Sequence, residues 1–358
     1  MEKYHPTVGK IYYEHHFKGE TRSSQVITLR KLAFMAILAA VVLICLGCIS
    51  TPPKNAPQNV TTLRIGYQPS THQIAEMAAS ELGWWARDLK PFGVQKIEEK
   101  EFPSGPPEMQ AMLAGDLDIA YVGTAPPITA IAAGLPAKIV AAANINGSDL
   151  VLRPGISYSG PKSLEGLGIG TFPPGSIQDI VMKKWLTDNN VNISKIKIYP
   201  MGPGDAVTAI EAGKIDGVFL PHPSPSAIEL AGRGKTVVSS GEMWPDHACC
   251  SVLVSEKLIQ DHPDLVEQIV KTHINATNYI NANPEEAAKI YVNRVKGQNL
   301  TVAEYSIKNW DGKWVSDPNV QIPSTLEYAK IDKTLGYINK TLTQDDLFDT
   351  SFYQKAKA

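Results

Sequence analysis

The chain has 358 residues, of which 20% are charged and 43% are hydrophobic, as is typical of a globular protein with a large core. This length favours two domains over one. The formal net charge of −2 leaves no basic excess to neutralise phosphates, which argues against a nucleic-acid-binding protein. The four cysteines lack zinc-finger spacing and do not indicate a disulfide scaffold; they are Cys45, Cys48, Cys249 and Cys250.

The N-terminal region combines a polar start, an apolar run and a proline-containing linker. Residues 1–31 are polar and irregular, and we interpret them as a disordered or mis-started N-terminus. Residues 32–48 are apolar, follow basic residues and end in Leu46-Gly47-Cys48, which is typical of an export signal. Residues 49–62 contain three prolines and no apolar periodicity, which predicts a flexible tether.

The ending Leu46-Gly47-Cys48 resembles a lipobox, and this resemblance implies cleavage before Cys48 and lipidation of its thiol. Cys45 departs from the pattern, because an aliphatic residue is expected at its position. The alternative is an uncleaved signal anchor, since the eighteen apolar residues 32–49 are just long enough to span a bilayer. We predict an extracytoplasmic protein that is anchored to the outer face of the cytoplasmic membrane.

From Leu63 onward, short apolar strands alternate with amphipathic helices, which predicts a parallel α/β sheet. We expect one continuous helix from about Gln73 to Asp88, because its apolar residues recur at helical spacing. Pro106 and Pro107 open the next helix, since proline is tolerated in a first helical turn. Strands are expected at 63–67, 96–102, 119–122 and 138–143.

The pattern begins again near Arg153, with strands expected at 167–172, 196–199 and 217–220. A further strand at 251–254 precedes helices near 263–281 and 284–295. We therefore predict two α/β lobes. The first lobe is discontinuous and comprises residues 63–152 plus 247–358, and the second comprises residues 153–246.

Five short motifs recur in a characteristic order between residues 63 and 292. They are Ile65–Pro69, Glu101–Pro106, Gly115–Pro127, Pro174–Ile177 and His247–Cys250. In this order the motifs resemble the substrate-binding proteins of sulfonate, taurine and nitrate ABC importers, within the thiamin-pyrimidine-precursor-binding-like superfamily. The resemblance implies the two-lobe periplasmic-binding-protein type II fold, with the ligand in the inter-lobe cleft. It also implies a monomer without a cofactor, whose partners are an ABC permease and its ATPase.

The resemblance assigns ligand contacts by position to nine residues: Gln68, Ser104, Gly105, Thr124, Ala125, Gly175, Ser176, His222 and Cys249. Hydroxyl and amide donors beside helix N-termini suit an anion, which offers only acceptors. His222 departs from the residue that this family often has at its position, and it either donates to the anion when protonated or is a capped loop histidine. No catalytic residue and no metal ligand are predicted.

Cys249 and Cys250 are adjacent at the end of an expected strand. Because successive side chains in a strand point to opposite faces, we expect one thiol in the core and one in the cleft. The alternative is that the pair binds a thiophilic ligand or a metal.

The sequence thus predicts a binding protein for a small organosulfonate of the taurine or alkanesulfonate type, or for a related oxyanion. The alternatives are a binding protein for a thiamin pyrimidine precursor and an enzyme of the same fold that uses a Cys–His pair. A sensory ectodomain is a further alternative.

Overall fold

Residues 59–358 are described by a computed structural model of the chain. The predicted N-terminus at 1–31, the export signal at 32–48 with Cys48, and most of the tether at 49–62 lie outside the described residues. Between residues 59 and 358, no helix combines the length and the apolarity needed to cross a membrane.

The strands of the described region divide between two sheets. They are β1 (Thr62–Tyr67), β2 (Lys96–Glu101), β3 (Ile119–Gly123), β4 (Ala137–Ile145), β5 (Ser148–Leu152), β6 (Gly168–Thr171), β7 (Lys197–Pro200), β8 (Gly217–Pro221), β9 (Lys235–Ser239), β10 (Ala248–Ser255) and β11 (Lys313–Trp314). The first sheet has the order β11-β4-β10-β3-β1-β2 and the second the order β7-β6-β8-β5-β9. We call each sheet with its helices a lobe. The predicted two-lobe α/β architecture is confirmed.

Both sheets mix parallel and antiparallel pairs. β1 is parallel to β2 and β3, whereas β10 runs antiparallel between β3 and β4. In the second sheet β6 is parallel to β7 and β8, and β5 is antiparallel to β8 and β9. Central strands such as β3 and β8 are buried almost throughout, which explains their continuous apolar sequences.

Helices cover the sheets and supply most of the C-terminal third. They are α1 (Ile74–Glu81), α2 (Trp84–Leu89), α3 (Gly105–Leu113), α4 (Ala125–Ala132), α5 (Ile177–Asp188), α6 (Pro203–Glu211), α7 (Ser224–Leu230), α8 (Ser240–Met243), α9 (Glu256–Asp261), α10 (Pro263–Ala282), α11 (Pro284–Arg294), α12 (Leu300–Asn309), α13 (Ile322–Thr334), α14 (Gln344–Leu347) and α15 (Ser351–Ala356).

The single helix predicted from Gln73 to Asp88 is wrong. The chain forms α1 and α2 with a break between them, because Gly83 adopts the left-handed conformation with φ 69°. Glycine takes this conformation without a Cβ penalty and commonly ends a helix there. The break leaves Leu82 exposed, although the helical pattern predicts it on the apolar face.

The chain passes from the first sheet to the second between β4 and β5, and returns between β9 and β10. β5 (Ser148–Leu152) pairs with β8 and β9 of the second sheet, so the first passage lies at Asn146–Gly147, before the expected boundary at 152. The C-terminal helices α10 and α11 pack on α1 in the first lobe. α12 contacts α7 in the second lobe, and α13 contacts α4 in the first lobe and α5 in the second. The assignment of residues 63–152 plus 247–358 to one lobe and of residues 153–246 to the other stays a prediction.

Asp332 on α13 is fully buried, and neither of its carboxyl oxygens has a hydrogen-bond partner among the described residues. Burial raises the pKa of Asp332 from 3.8 to about 7, and the charge of Asp179 adds to this shift. The carboxyl group therefore binds its proton more tightly in the folded chain than in the unfolded chain. Its stabilising contribution is complete below about pH 4 and is lost as the pH rises through 7.

We therefore predict that Asp332→Asn flattens the dependence of stability on pH. Relative to the variant, the parent should lose about 2–4 kcal/mol of unfolding free energy between pH 4 and pH 7.5. Urea unfolding across this pH range measures the difference. Asp345→Asn, at an exposed position on α14, is the matched control and should keep the parent profile. Equal slopes for parent and Asp332→Asn would contradict the prediction.

Candidate functional site

A cleft with about 570 Å³ of empty space, including its open mouth, lies where the strands of both sheets end. Its walls come from the segments that follow β1, β2, β3, β6, β7 and β8, together with the first residues of β10. Five of the nine predicted ligand residues line this cleft: Gln68, Gly105, Ser176, His222 and Cys249. The lining does not include Ser104, Thr124, Ala125 or Gly175.

The hydroxyl of Thr124 is bonded to other parts of the protein and does not line the cleft. Its side chain is fully buried, and its hydroxyl donates to the Cys249 carbonyl at 3.2 Å and contacts the Ser251 hydroxyl at 2.7 Å. Its backbone N–H also donates to the Cys249 carbonyl, at 2.7 Å. These bonds fasten the end of β3 to β10, so the hydroxyl is already satisfied within the protein.

Two of the helix N-termini that were expected to bind the anion have few backbone N–H donors. Pro106 and Pro107 occupy the first turn of α3, and Pro126 and Pro127 occupy that of α4. Proline has no N–H, so these turns offer a ligand fewer hydrogen bonds than an ordinary helix start. The helix dipoles remain, but α3 and α4 contribute mainly apolar surface to the cleft.

The N-terminus of α5 is the better donor. Ser176 lines the cleft and caps this helix, because its Oγ accepts a hydrogen bond from the Asp179 N–H at 3.2 Å. The hydroxyl proton of Ser176 is then available to a ligand. Asp179 is buried against Lys183, at 2.6 Å, and also accepts from Gly175 N–H, so the Gly175 donor is used within the protein.

Gln68 reaches the cleft directly after β1 and donates from Nε2 to Glu108 Oε2 at 2.8 Å. Glu108 is fully buried, and its Oε1 has no partner among the described residues. Burial raises the pKa of Glu108 well above 4.5, which favours the neutral acid. In its neutral form, the Glu108 carboxyl group beside Gln68 does not repel an anion.

His222 lines the cleft, but both of its ring nitrogens have partners. Nε2 lies 3.0 Å from Asp149 Oδ2, and Nδ1 lies 3.0 Å from Ser306 Oγ and 3.1 Å from Ser226 Oγ. The ring also packs against Trp310, with the ring centroids 6.2 Å apart. These contacts fix the orientation of the His222 imidazole in the cleft wall.

The expectation that Cys249 and Cys250 point to opposite faces is wrong. Both thiols are free, buried and part of the cleft lining, and their Sγ atoms are 3.9 Å apart. The reason is local: the register between β10 and β4 shifts on both sides of Cys250, which disturbs the alternation of a regular strand. The hydrogen bond from Cys249 lowers the pKa of the Cys250 thiol, whereas burial raises that of Cys249.

Sequence reasoning missed His72. Its ring lies in the cleft wall, with Nδ1 3.1 Å from Cys249 Sγ and Nε2 2.7 Å from the Gly147 carbonyl. A usable signal was present, because His72 closes the same polar segment after β1 that contains Gln68. Within the described part of the chain, the cleft lining contains no Lys or Arg, so its polar groups are amides, hydroxyls, imidazoles and thiols.

A model described as the NMT1-like family matches residues 56–294. The chain belongs to the NMT1-like family. A putative aliphatic sulfonates-binding protein of Bacillus subtilis strain 168 is 26% identical over 326 residues, which cover 90% of this chain and 96% of the relative.

Solved structures share the fold of this NMT1-like chain. The alkanesulfonate-binding protein SsuA of Xanthomonas axonopodis pv. citri, bound to MOPS, aligns with a TM-score of 0.70 at 20% identity, covering 80% of this chain and 98% of that one. The periplasmic nitrate-binding protein NrtA of Synechocystis PCC 6803 gives a TM-score of 0.72 at 18% identity, with coverages of 84% and 89%. The predicted resemblance to sulfonate, taurine and nitrate binding proteins and the predicted type II fold are confirmed.

The contacts of Thr124 predict a structural effect for Thr124→Val. The substitution removes the hydroxyl and leaves its buried partners short of one hydrogen bond, which should lower the free energy of unfolding by about 1–3 kcal/mol. Urea unfolding of the ligand-free protein measures this loss. Thr129→Val is the control, because that hydroxyl bonds only locally to the Pro126 carbonyl within α4. A Thr124→Val protein with parental stability would contradict the structural role.

Proposed function

We propose that this protein binds a small organosulfonate, of the taurine or alkanesulfonate type, or a related oxyanion in the inter-lobe cleft. It delivers the ligand to an ABC permease and its ATPase without changing it chemically. The observation that carries the proposal is the chemistry of the cleft wall: neutral donors face the space, and the buried carboxyl group bonded to Gln68, that of Glu108, is biased toward its neutral form.

The sulfonate group and nitrate keep their negative charge at all ordinary pH values, and both only accept hydrogen bonds. Gln68 and Ser176 offer donors from opposite lobes, and the N-terminus of α5 adds a favourable dipole. Ligand binding between lobes accords with the general location of small-molecule sites at the junctions of domains. The names of the sulfonate-binding and nitrate-binding relatives support the same ligand class.

Calorimetry on the full-length chain in detergent should detect binding of at least one anion among taurine, alkanesulfonates, nitrate and sulfate. An aminopyrimidine is included in the panel as the competing ligand class. Binding of the pyrimidine with no response to any anion would overturn the ligand class. Chemical conversion of a bound ligand would overturn the transport function.

Ser176→Ala should weaken binding of the responding anion about ten- to hundredfold, because a hydrogen bond to a charged group is lost. Ser255→Ala is the matched control: Ser255 also caps a helix through its side chain, accepting from the Leu258 N–H, but it does not line the cleft. Both variants should lose about 1 kcal/mol of stability from the missing cap. Equal anion affinities for the two variants would assign Ser176 to capping alone.

We also propose that the mature chain begins at a lipidated Cys48 and is held at the outer face of the cytoplasmic membrane. The Leu46-Gly47-Cys48 ending and the proline-containing tether support this proposal. Mass spectrometry of the membrane fraction should detect a modified N-terminal Cys48 peptide, and Cys48→Ser should abolish the modification. Recovery of an intact segment 32–49 from the parent chain would instead establish a signal anchor.

A further inference from the structure

Three metal-binding side chains converge in the cleft wall. His72, Cys249 and Cys250 place their ligand atoms within 4.8 Å of one another, and all three side chains are buried. His72 follows β1, whereas the two cysteines begin β10, so the sheet brings together groups that are 177 residues apart. This is the only such cluster of three ligands among the residues that the structure describes.

We propose that His72, Cys249 and Cys250 form a binding site for a thiophilic divalent cation of the Zn²⁺ type, with one coordination position open to the cleft. Two thiolates and one imidazole select soft or borderline metals over Mg²⁺ and Ca²⁺. Three protein ligands leave the fourth tetrahedral position of zinc for water or another small donor.

The distances fit a metal centre. With zinc–sulfur bonds of about 2.3 Å and zinc–nitrogen bonds of about 2.0 Å, tetrahedral ligands lie roughly 3.5–3.8 Å apart. The two Sγ atoms are 3.9 Å apart, and His72 Nδ1 is 3.1 Å from Cys249 Sγ. His72 Nδ1 lies within 4.8 Å of Cys250 Sγ, so a cation at tetrahedral distances requires a shift of the His72 ring on the order of 1 Å or less.

The surroundings prepare the His72 ring for coordination. A carbonyl oxygen only accepts, so the 2.7 Å bond to the Gly147 carbonyl requires the proton to be on Nε2. In the neutral imidazole, Nδ1 then presents a lone pair toward the thiols. An outer hydrogen bond of this kind fixes the tautomer and orientation of metal-binding histidines in general.

Two further neighbours support the same geometry. Gly147 has no side chain where a Cβ would lie 2.9 Å from His72 Nε2, so glycine permits the approach of the imidazole. The Cys250 N–H donates to Asn144 Oδ1 at 3.0 Å, and Gln73 Nε2 lies 3.6 Å from Cys250 Sγ. The cluster is therefore held by residues of β4 and of the segment after β1, independently of any cleft ligand.

The test uses the full-length chain with Cys45→Ser and Cys48→Ser, under reducing conditions. In this background Cys249 and Cys250 are the only cysteines. Titration should bind one Zn²⁺ per chain in competition with a chelator, and Cd²⁺ should produce thiolate-to-metal charge-transfer absorption. If the folded protein shows no such absorption with Cd²⁺, the proposal is wrong. Variants of His72, Cys249 or Cys250 are not needed for this test.

Cys249→Ser, Cys250→Ser and His72→Gln should each weaken Zn²⁺ binding more than about a hundredfold, since loss of outer-shell partners alone costs 10–100-fold. His222→Gln is the matched control, because it removes a cleft histidine outside the cluster and should keep the parental Zn²⁺ affinity. Circular dichroism verifies the fold of each variant. Unchanged affinity in the folded cysteine variants, or an equal loss in His222→Gln, would contradict the assignment.

Discussion

The antiparallel insertion of β10 between β3 and β4 is the constraint on which the cleft depends. This strand brings the chain back from the second lobe into the first sheet, and a buried network keeps it in place. Ser251 bonds to Thr124 and donates to Gln321, while Gln321 Nε2 donates to the Cys250 and Asn144 carbonyls. Because such a network is stable only when every member is satisfied, β3, β4, β10 and the start of α13 act as one unit.

This unit explains why the cleft wall offers few free hydrogen-bond donors. Around β10 the hydroxyls and amides are largely used to hold strands together, and prolines remove donors from two helix starts. What remains for a ligand is concentrated at Gln68 and at the Ser176 end of α5. A site of this kind binds by a few directed hydrogen bonds and by shape, and it avoids the desolvation cost of burying an unpaired cationic side chain.

The two proposals concern neighbouring parts of one cleft and are electrostatically compatible. A divalent cation held by two thiolates and a neutral imidazole carries no net charge, so the occupied cluster does not repel an anion. An acceptor group of a ligand is also suited to the open coordination position. The proposed anion site and the proposed metal site are adjacent because the segment after β1 supplies both Gln68 and His72.

The sequence by itself determined the alternation of strands and helices, the two-lobe α/β fold and the resemblance to sulfonate, taurine and nitrate binding proteins, because hydrophobic periodicity and short motifs are local properties. It missed β5 and β9, which are short antiparallel strands whose role depends on partners far along the chain. Only the tertiary structure decided that Thr124 binds β10, and that His72 meets Cys249 and Cys250. Those outcomes depend on register shifts and on contacts between distant segments, and such contacts leave no periodic signal in the sequence.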